Sequence, residues 1–272
     1  MNSRSRDGFY ALWTIAIYLS VFLALFIVFF VSCQKAPETE EDLATEIVGE
    51  ASGEIADDTV FVETPPPAAT ILAQTEDQGA VYLEQCIFLG DSNTYMLAET
   101  ESLPQRQVWS TENGTLNLAD HGSSYITYTA ADGSTQEMLI YNAAAIHQPQ
   151  YLVINLGLNG LTYLSEDEFK QAYSELIHTI QTASPNTKIM CQSILPVIDT
   201  VSGEVQNNRI ERANRWILEV AEETGTRYLN TAELLMDDTE NLRSEYASSD
   251  GVLLSQPGCQ AVLYYIRTHG YQ

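Results

Sequence analysis

Basic residues are scarce in this sequence, and their scarcity excludes one broad class of function. The 272 residues include 12 Lys and Arg against 37 Asp and Glu, which gives a formal net charge of −25. Recognition of nucleic-acid phosphates requires clustered Lys and Arg, so we do not expect the chain to bind nucleic acid. A surface this acidic repels anionic ligands at long range and suits a neutral or cationic substrate.

Cysteine and histidine are also few, with four of each in the chain. The cysteines, Cys33, Cys86, Cys191 and Cys259, lack the spacing of zinc ligands and indicate no disulfide framework. The sequence contains no glycine-rich phosphate-binding motif either. We therefore expect neither a metal ion nor a cofactor.

One long apolar run lies near the amino terminus. From Ala11 to Cys33 no side chain is charged, and a helix of this length, about 33–35 Å, can cross a hydrocarbon core of about 30 Å. We predict a transmembrane anchor over residues 11–33, preceded by a cytoplasmic tail at residues 1–10. A cleaved signal peptide and a lipoprotein processed at Cys33 are the alternatives, and the sequence leaves both open.

The charges that flank this run predict its orientation. Arg4 and Arg6 precede it, whereas Lys35 is soon followed by a group of acidic residues. Because Lys and Arg near a membrane span favour the cytoplasmic side, the amino terminus is expected in the cytoplasm. The prediction is a single-pass protein of the cell membrane, with the membrane as a partner of its first helix and an extracytoplasmic carboxy-terminal part.

Residues 34–80 have the composition of a linker. They hold twelve acidic residues, one lysine and three consecutive prolines at positions 65–67. The acidic side chains repel one another and the prolines stiffen the backbone, while the apolar residues follow neither a helix nor a strand period. We predict an extended spacer here, and a globular domain over residues 81–272 that carries 24 acidic and 9 basic residues.

Short apolar runs alternate with amphipathic stretches in this domain. The apolar runs predict strands at residues 86–89, 107–109, 151–156, 188–193 and 227–229. Apolar residues at helical spacing predict helices at residues 166–183, 207–224 and about 257–268. Ser165 with Glu168 has the pattern of a capping box, and Gly225 is placed to end the second helix. This alternation predicts an α/β fold with a parallel sheet covered on both faces, whose sites lie beyond the carboxyl ends of the strands.

A serine follows the first predicted strand. Ser92 comes after Gly90 and Asp91 and opens a helix, where free backbone N–H groups favour negative charge. Its hydroxyl is placed to attack an acyl carbon, and its own N–H to stabilise the resulting oxyanion. An ordinary N-cap serine gives the same local pattern, so this motif alone leaves both interpretations open.

Four segments in a fixed order extend the serine motif. They are Ile87–Ser92, Glu112–Gly114, Ile154–Asn159 and Ser249–Ser255. With them, residues 86–272 resemble the SGNH (GDSL-type) hydrolase family, and the resemblance implies a flavodoxin-like three-layer αβα sandwich with esterase or acyl hydrolase chemistry. It implies Ser92 as the nucleophile, with the Gly114 N–H and the Asn159 side-chain amide as donors to the oxyanion. Gly160 stands where the family commonly has an acidic residue.

The fourth segment departs from the family at the general base. The family pattern is Asp-x-x-His ahead of the final helix, but here Asp250 is followed three residues later by Leu253. The resemblance implies that Asp250 would orient an imidazole, and this position supplies none. Without a base the serine hydroxyl stays protonated near neutral pH, and loss of a triad member lowers rates by orders of magnitude.

The four histidines offer no clear replacement for the base. His147 precedes a strand, His178 lies within a helix and His269 follows the last helix. His121 is the least distant from the proposed site, two turns beyond Gly114 on a predicted helix and about 10 Å along its axis. Each is expected to be a surface or packing histidine.

Two hypotheses on function follow. The first is a catalytically impaired or silent esterase homologue that keeps the oxyanion pocket. The alternative is an active serine ester hydrolase that removes acetyl or other small acyl groups from envelope or extracellular carbohydrate, as the family resemblance allows. In both, the expected ligand is an acylated carbohydrate or a small ester.

Overall fold

Five parallel strands form the central sheet. The computed structural model describes residues 70–198 and 205–271. Its strands are β1 (Cys86–Gly90), β2 (Val108–Trp109), β3 (Tyr125–Thr129), β4 (Thr135–Leu139), β5 (Tyr151–Asn155), β6 (Lys188–Gln192) and β7 (Arg227–Leu229). The sheet has the order β2-β1-β5-β6-β7, and every neighbouring pair is parallel. The predicted α/β class with a parallel sheet is confirmed.

Helices cover both faces of this sheet. They are α1 (Gly79–Glu84), α2 (Ser92–Glu99), α3 (Ile140–His147), α4 (Glu166–Ala183), α5 (Asn207–Thr224), α6 (Ala232–Leu235) and α7 (Gln256–Thr268). Strand side chains alternate between two buried clusters. Ile87 and Leu89 pack with residues of α3, α4 and α5, whereas Cys86 and Phe88 pack with residues of α1, α2, α6 and α7. The described residues thus form three layers, with the sheet in the middle.

The two long helices have the bounds that the sequence predicts. Ser165 and Glu168 form a complete capping box at the start of α4, which satisfies backbone N–H groups that the first turn leaves unpaired. Gly225 ends α5 in the left-handed conformation, with φ of 68°. Each helix buries one apolar stripe and leaves the opposite face exposed, so local pattern and packing agree.

A close approach between β1 and β5 fixes the position of the turn that follows β1. Gly90 is the register partner of Asn155, and a Cβ added at Gly90 would overlap the Asn155 carbonyl oxygen. Only glycine permits this contact. As a result the chain after β1 lies directly against the chain after β5, at the carboxyl edge of the sheet.

The globular part begins earlier than the predicted residue 81. Thr70–Leu72 lies parallel beside β7, where the Tyr228 N–H donates to the Thr70 carbonyl at 2.8 Å and the Leu72 N–H to the Tyr228 carbonyl at 2.9 Å. Leu72 is buried, and Asp77 pairs with Arg267 at 2.9 Å. The acidic composition of the linker hides this segment, because two consecutive apolar residues are too few to give a periodic signal.

The predicted membrane anchor lies outside the described residues. Among residues 70–198 and 205–271, no helix combines the length and the apolar character that crossing a membrane requires. The anchor at residues 11–33, the tail at 1–10 and the linker up to residue 69 therefore stay predictions.

A hairpin replaces the helix predicted beyond Gly114. β3 and β4 pair antiparallel, and the Thr127 N–H donates to the Ser110 carbonyl at 2.8 Å, which attaches the hairpin to the end of β2. His121 follows a short 3₁₀ turn at Leu118–Asp120 rather than lying on a helix. β3 is rich in aromatic and β-branched residues, but most of β4 is polar and exposed, so the sequence gives no clear signal for the pair.

Candidate active site

Ser92 is the first residue of α2, directly beyond the carboxyl end of β1. Its side chain is half-buried. Within residues 70–198 and 205–271, its hydroxyl makes no hydrogen bond. Its backbone N–H belongs to the first helical turn, where the helix provides no acceptor. The residue thus presents both a hydroxyl and an N–H to a ligand.

Asp91 ties the turn before Ser92 to the turn after β5. The carboxylate is only 2% exposed, and its Oδ2 accepts the N–H of Leu158 at 3.2 Å. Burial raises the pKa of Asp91 to about 7, although hydrogen bonds from the N–H groups of Gly157, Asn93 and Leu158 act in the opposite direction. A buried carboxyl group is therefore held one residue from the proposed nucleophile.

Gly114 lies against the start of α2. Its φ is +70°, and an added Cβ would lie 3.1 Å from the Ser92 Cα and 3.0 Å from the Tyr95 Cβ. The Gly114 N–H donates to the Thr111 carbonyl at 3.1 Å, and the Thr115 N–H donates to the Thr111 hydroxyl at 2.8 Å. The glycine is thus next to Ser92, but its N–H closes a turn of its own loop.

Asn159 lies on a 3₁₀ turn at Leu158–Gly160. Its side-chain amide donates to the Leu116 carbonyl at 3.1 Å. An asparagine amide carries two N–H donors, so one is engaged with Leu116 and the second is left for a ligand. The side chain itself is exposed.

These contacts join three loops around Ser92. The turn of Asp91 touches that of Leu158, the turn of Asn159 touches the loop of Leu116, and Gly114 in that loop touches Ser92. The structure therefore brings together the three segments that carry the proposed nucleophile and oxyanion donors. Their catalytic roles stay predictions.

Asn93 attaches the segment Ser249–Ser255 to α2, the helix that begins at Ser92. This buried side chain accepts the Leu254 N–H at 2.9 Å and donates to the Val252 carbonyl at 3.5 Å. Both partners are backbone atoms, and they flank Leu253 on either side. Leu253 is half-buried, and the residues on either side of it are bonded to Asn93, which directly follows Ser92 in sequence.

Asp250 folds back on its own loop. Its Oδ1 accepts hydrogen bonds from the N–H groups of Val252 and Leu253, both at 2.8 Å, and from the Ser248 hydroxyl at 2.7 Å. Partial burial acts to raise the pKa of Asp250, but these hydrogen bonds outweigh it and lower the pKa below its ordinary value. The ionised carboxylate thus stabilises a turn.

Each of the four histidines pairs with a neighbour away from Ser92. All four lie within the described residues, and none hydrogen-bonds to the serine. Their partners are the Leu118 carbonyl for His121, Tyr128 and Trp109 for His147, the Ser174 carbonyl for His178, and Tyr265 for His269. No imidazole in this structure is placed to take the serine proton.

Neither a groove elsewhere nor the cysteines add to this site. A groove of about 450 Å³ lies between α5 and β7, but the amides of Asn207 and Asn214 in its wall bind the backbone of the chain after β6.

In the part of the chain that the structure describes, no three His, Cys, Asp or Glu side chains are arranged to hold a metal ion. Cys86, Cys191 and Cys259 are buried thiols.

Sequence reasoning missed Asn93 and the role of the Leu116 carbonyl. Asn93 is one of several polar residues in the first turn of a short helix, and nothing in its neighbours predicts a bond across 161 residues. The carbonyl of Leu116 has no residue-specific signal at all. Burial of the polar Asn93 side chain is the property that identifies it once the fold is known.

Comparison with known proteins gives one family and a set of similar folds. The sequence model of the GDSL-like lipase/acylhydrolase family matches residues 88–261, whereas curated protein sequences give no match. A GDSL-like lipase from Bacteroides thetaiotaomicron is 16% identical at a TM-score of 0.46, covering 66% of this chain and 86% of its own. An acetylxylan esterase from Geobacillus stearothermophilus is 14% identical at 0.46, covering 69% and 94%. At these values the two solved structures bear on neither substrate nor chemistry.

Proposed function

The chain belongs to the GDSL-like lipase/acylhydrolase family, and from that premise we propose that it is a catalytically impaired or silent esterase homologue that keeps a ligand pocket around Ser92. The observation that carries this proposal is the position of Leu253. The Asn93 side chain bonds to the backbone of residues 252 and 254 and so holds this segment against α2. The residue between these two bonds, Leu253, is aliphatic.

The chemical consequence is the absence of a proton acceptor. A serine hydroxyl attacks an acyl carbon efficiently only when a neighbouring group removes its proton. Such acid–base catalysis contributes about 10²–10⁴-fold to a rate, and an isobutyl group supplies none of it. The engagement of the Gly114 N–H with Thr111 points in the same direction, because it removes one of the expected oxyanion donors.

Two N–H groups at Ser92 and Asn159 are nonetheless suited to bind a ligand oxygen. Within the described residues, the Ser92 N–H at the start of α2 and the second N–H of the Asn159 amide have no protein acceptor and are therefore available to a ligand. We propose that these groups bind the acyl or carbonyl oxygen of a small ester or an acylated carbohydrate. The excess of acidic residues favours neutral over anionic ligands.

The alternative is an active serine ester hydrolase that removes small acyl groups from carbohydrate of the envelope or the extracellular space. Retention of Ser92 and Asn159 in adjoining loops favours it. It requires a base that the described residues do not place at the serine.

A fluorophosphonate probe distinguishes the two functions, because it reacts with an activated serine whatever the substrate. We expect the intact chain in detergent, Ser92→Ala and the matched control Ser123→Ala to show the same low labelling, and p-nitrophenyl acetate hydrolysis that does not depend on Ser92. An added serine hydrolase of known activity verifies the probe. Rapid labelling of the wild type and of Ser123→Ala, lost in Ser92→Ala, would establish the active hydrolase instead.

We also propose that residues 11–33 anchor the domain to the cell membrane, with the amino terminus in the cytoplasm. The uncharged run and the arginines before it support this proposal. In a bacterial host we expect the chain to remain in the membrane after an alkaline carbonate wash, and external protease to digest the domain. A shortened soluble chain would indicate cleavage, and a mass increase at Cys33 would indicate lipidation.

A further inference from the structure

The Asp91 carboxylate links two parts of the candidate site. It precedes Ser92 in sequence, and its Oδ2 accepts the N–H of Leu158 at 3.2 Å. Leu158 is followed by Asn159, and both lie on the same 3₁₀ turn. A change in the strength of this hydrogen bond therefore acts directly on the turn that carries the Asn159 amide.

The carboxylate has backbone partners and no cation. The N–H groups of Gly157, Asn93 and Leu158 point to it, and none of the ion pairs in the described residues includes it. With 2% exposure, ionisation is unfavourable because water is excluded. Burial raises the pKa of Asp91 to about 7, so both forms are populated near neutral pH.

Few titratable groups lie around this carboxyl group. Tyr173 of α4 faces it and stays neutral, because burial raises the pKa of this tyrosine well above its ordinary value. Cys191 of β6 lies behind Tyr173, and burial raises its pKa to about 12. His121 and Asp120 lie on the neighbouring 3₁₀ turn, which contacts the turn of Asn159.

We propose that Asp91 is a positioning residue whose carboxylate form holds the turn of Asn159 in place and whose protonation releases that turn. An ionised carboxylate accepts several N–H groups strongly, whereas a protonated carboxyl is a weaker acceptor and carries an O–H that needs a partner. The step takes up one proton from solvent, which forms the carboxyl O–H bond, and it breaks no bond of the chain. The proposal rests on the proposed function in one respect, namely that Asn159 contacts the ligand.

The test is a pH titration followed by NMR. The intact chain, labelled with ¹⁵N in Asn and Leu and held in detergent micelles, is titrated from pH 5 to pH 9. We expect the Leu158 N–H and the Asn159 side-chain amide to shift along one curve with a midpoint near the Asp91 pKa of about 7. Asp91→Asn, which keeps an acceptor oxygen but cannot titrate, should abolish both shifts.

Two variants of the neighbouring turn serve as controls. Asp120→Asn makes the same chemical change at an exposed carboxylate, and His121→Gln removes the imidazole at the end of the 3₁₀ turn that contacts the Asn159 turn. Both should keep the wild-type curve. Flat wild-type signals, a curve that persists in Asp91→Asn, or one that disappears in His121→Gln would each overturn the proposal.

A second measurement keeps the test decisive if Asp91→Asn does not fold. In the wild-type chain with ¹³C-labelled Asp, the carboxyl carbon of Asp91 should titrate with the midpoint of the Asn159 amide, and a carboxyl already ionised at pH 5 would overturn the proposal. Fluorophosphonate labelling of Ser92 reports separately on the proposed function. Either result can fail while the other stands.

Discussion

Two aspartates flank the candidate site, and their environments differ in almost every respect. Asp91 is 2% exposed and bonds to a residue 67 positions away, whereas Asp250 is exposed and bonds only within its own loop. Burial raises the pKa of the first, and local hydrogen bonds lower that of the second. The turn of Asp91 is thus fixed by a long-range contact of the aspartate itself, whereas Asp250 stabilises only its own loop, and Asn93 attaches that loop to α2.

This difference bears on the proposal that Leu253 occupies the position of the family's general base. Asn93 attaches the loop of Asp250 through the backbone of residues 252 and 254. Neither bond involves the side chain of Leu253, so this attachment of the loop does not depend on which side chain residue 253 carries. The side chain at residue 253, and with it the chemistry of the site, can therefore change while the attachment through Asn93 is kept.

The largest expected effect is a gain of function on the base side. Leu253→His should raise Ser92-dependent hydrolysis of p-nitrophenyl acetate by about 10²–10⁴-fold, because it supplies a proton acceptor beside the serine. Val252→His places the same side chain one residue away and should give no such gain. A folded Leu253→His chain without increased activity would show that the oxyanion donors are also defective. The Gly114 N–H, which is bonded to the Thr111 carbonyl, would be the donor to examine first.

The second expected effect is a pH dependence of the free energy of unfolding that comes from Asp91. Since the Asp91 pKa is raised from about 3.9 in the unfolded chain to about 7 in the folded one, the folded state binds the extra proton between these values. The free energy of unfolding contributed by Asp91 should therefore fall by up to about 4 kcal/mol as pH rises from 4 to 7, and stay constant above.

Urea unfolding of the intact chain, followed by tryptophan fluorescence, measures this contribution. The difference between the wild type and Asp91→Asn should change steeply between pH 4 and pH 7. Asp250→Asn should leave that range unaltered, because the Asp250 pKa is lowered rather than raised. Parallel pH curves for the wild type and Asp91→Asn would contradict a buried, titrating Asp91.

The smallest expected effect is a loss of stability that separates the packing of Gly114 against α2 from the backbone strain of its left-handed φ. Gly114→Ala should destabilise the domain by about 2–3 kcal/mol, since it combines a left-handed backbone with contacts to Ser92 and Tyr95 near 3 Å. Gly133→Ala has a similar φ but no neighbour within 4 Å, and should lose only about 1 kcal/mol. Equal losses in urea unfolding would mean that the loop is not packed on Ser92.

Patterns that are local in sequence predicted most of the sheet and the long helices. The apolar runs of β1, β5 and β6 are buried on both faces and stand out without tertiary information, and α4 carries its own capping box at Ser165 and Glu168. The β3–β4 hairpin was missed because its second strand is largely polar and exposed. The start of the domain at Thr70 was missed because its pairing with β7 depends on a strand far along the chain.

The candidate site divides in the same way. Motif order places the segments of Ser92, Gly114 and Asn159 in three loops, and the fold brings those loops into contact. The direction of the Gly114 N–H, which depends on the turn with Thr111, has no signature in sequence. The bonds of Asn93 join distant backbone atoms, and backbone acceptors are the same at every residue.

The pairing of Thr70–Leu72 with β7 has a mechanical consequence. A pull on the chain from upstream reaches the sheet at this strand, where the two hydrogen bonds with Tyr228 resist it in shear. β5, β6 and β7 separate that strand from β1, a distance of roughly 19 Å at about 4.8 Å per strand. Thr70–Leu72 therefore lies at the edge of the sheet that is farthest from Ser92. A force applied through the upstream chain acts on that edge first, and not on the loops around Ser92.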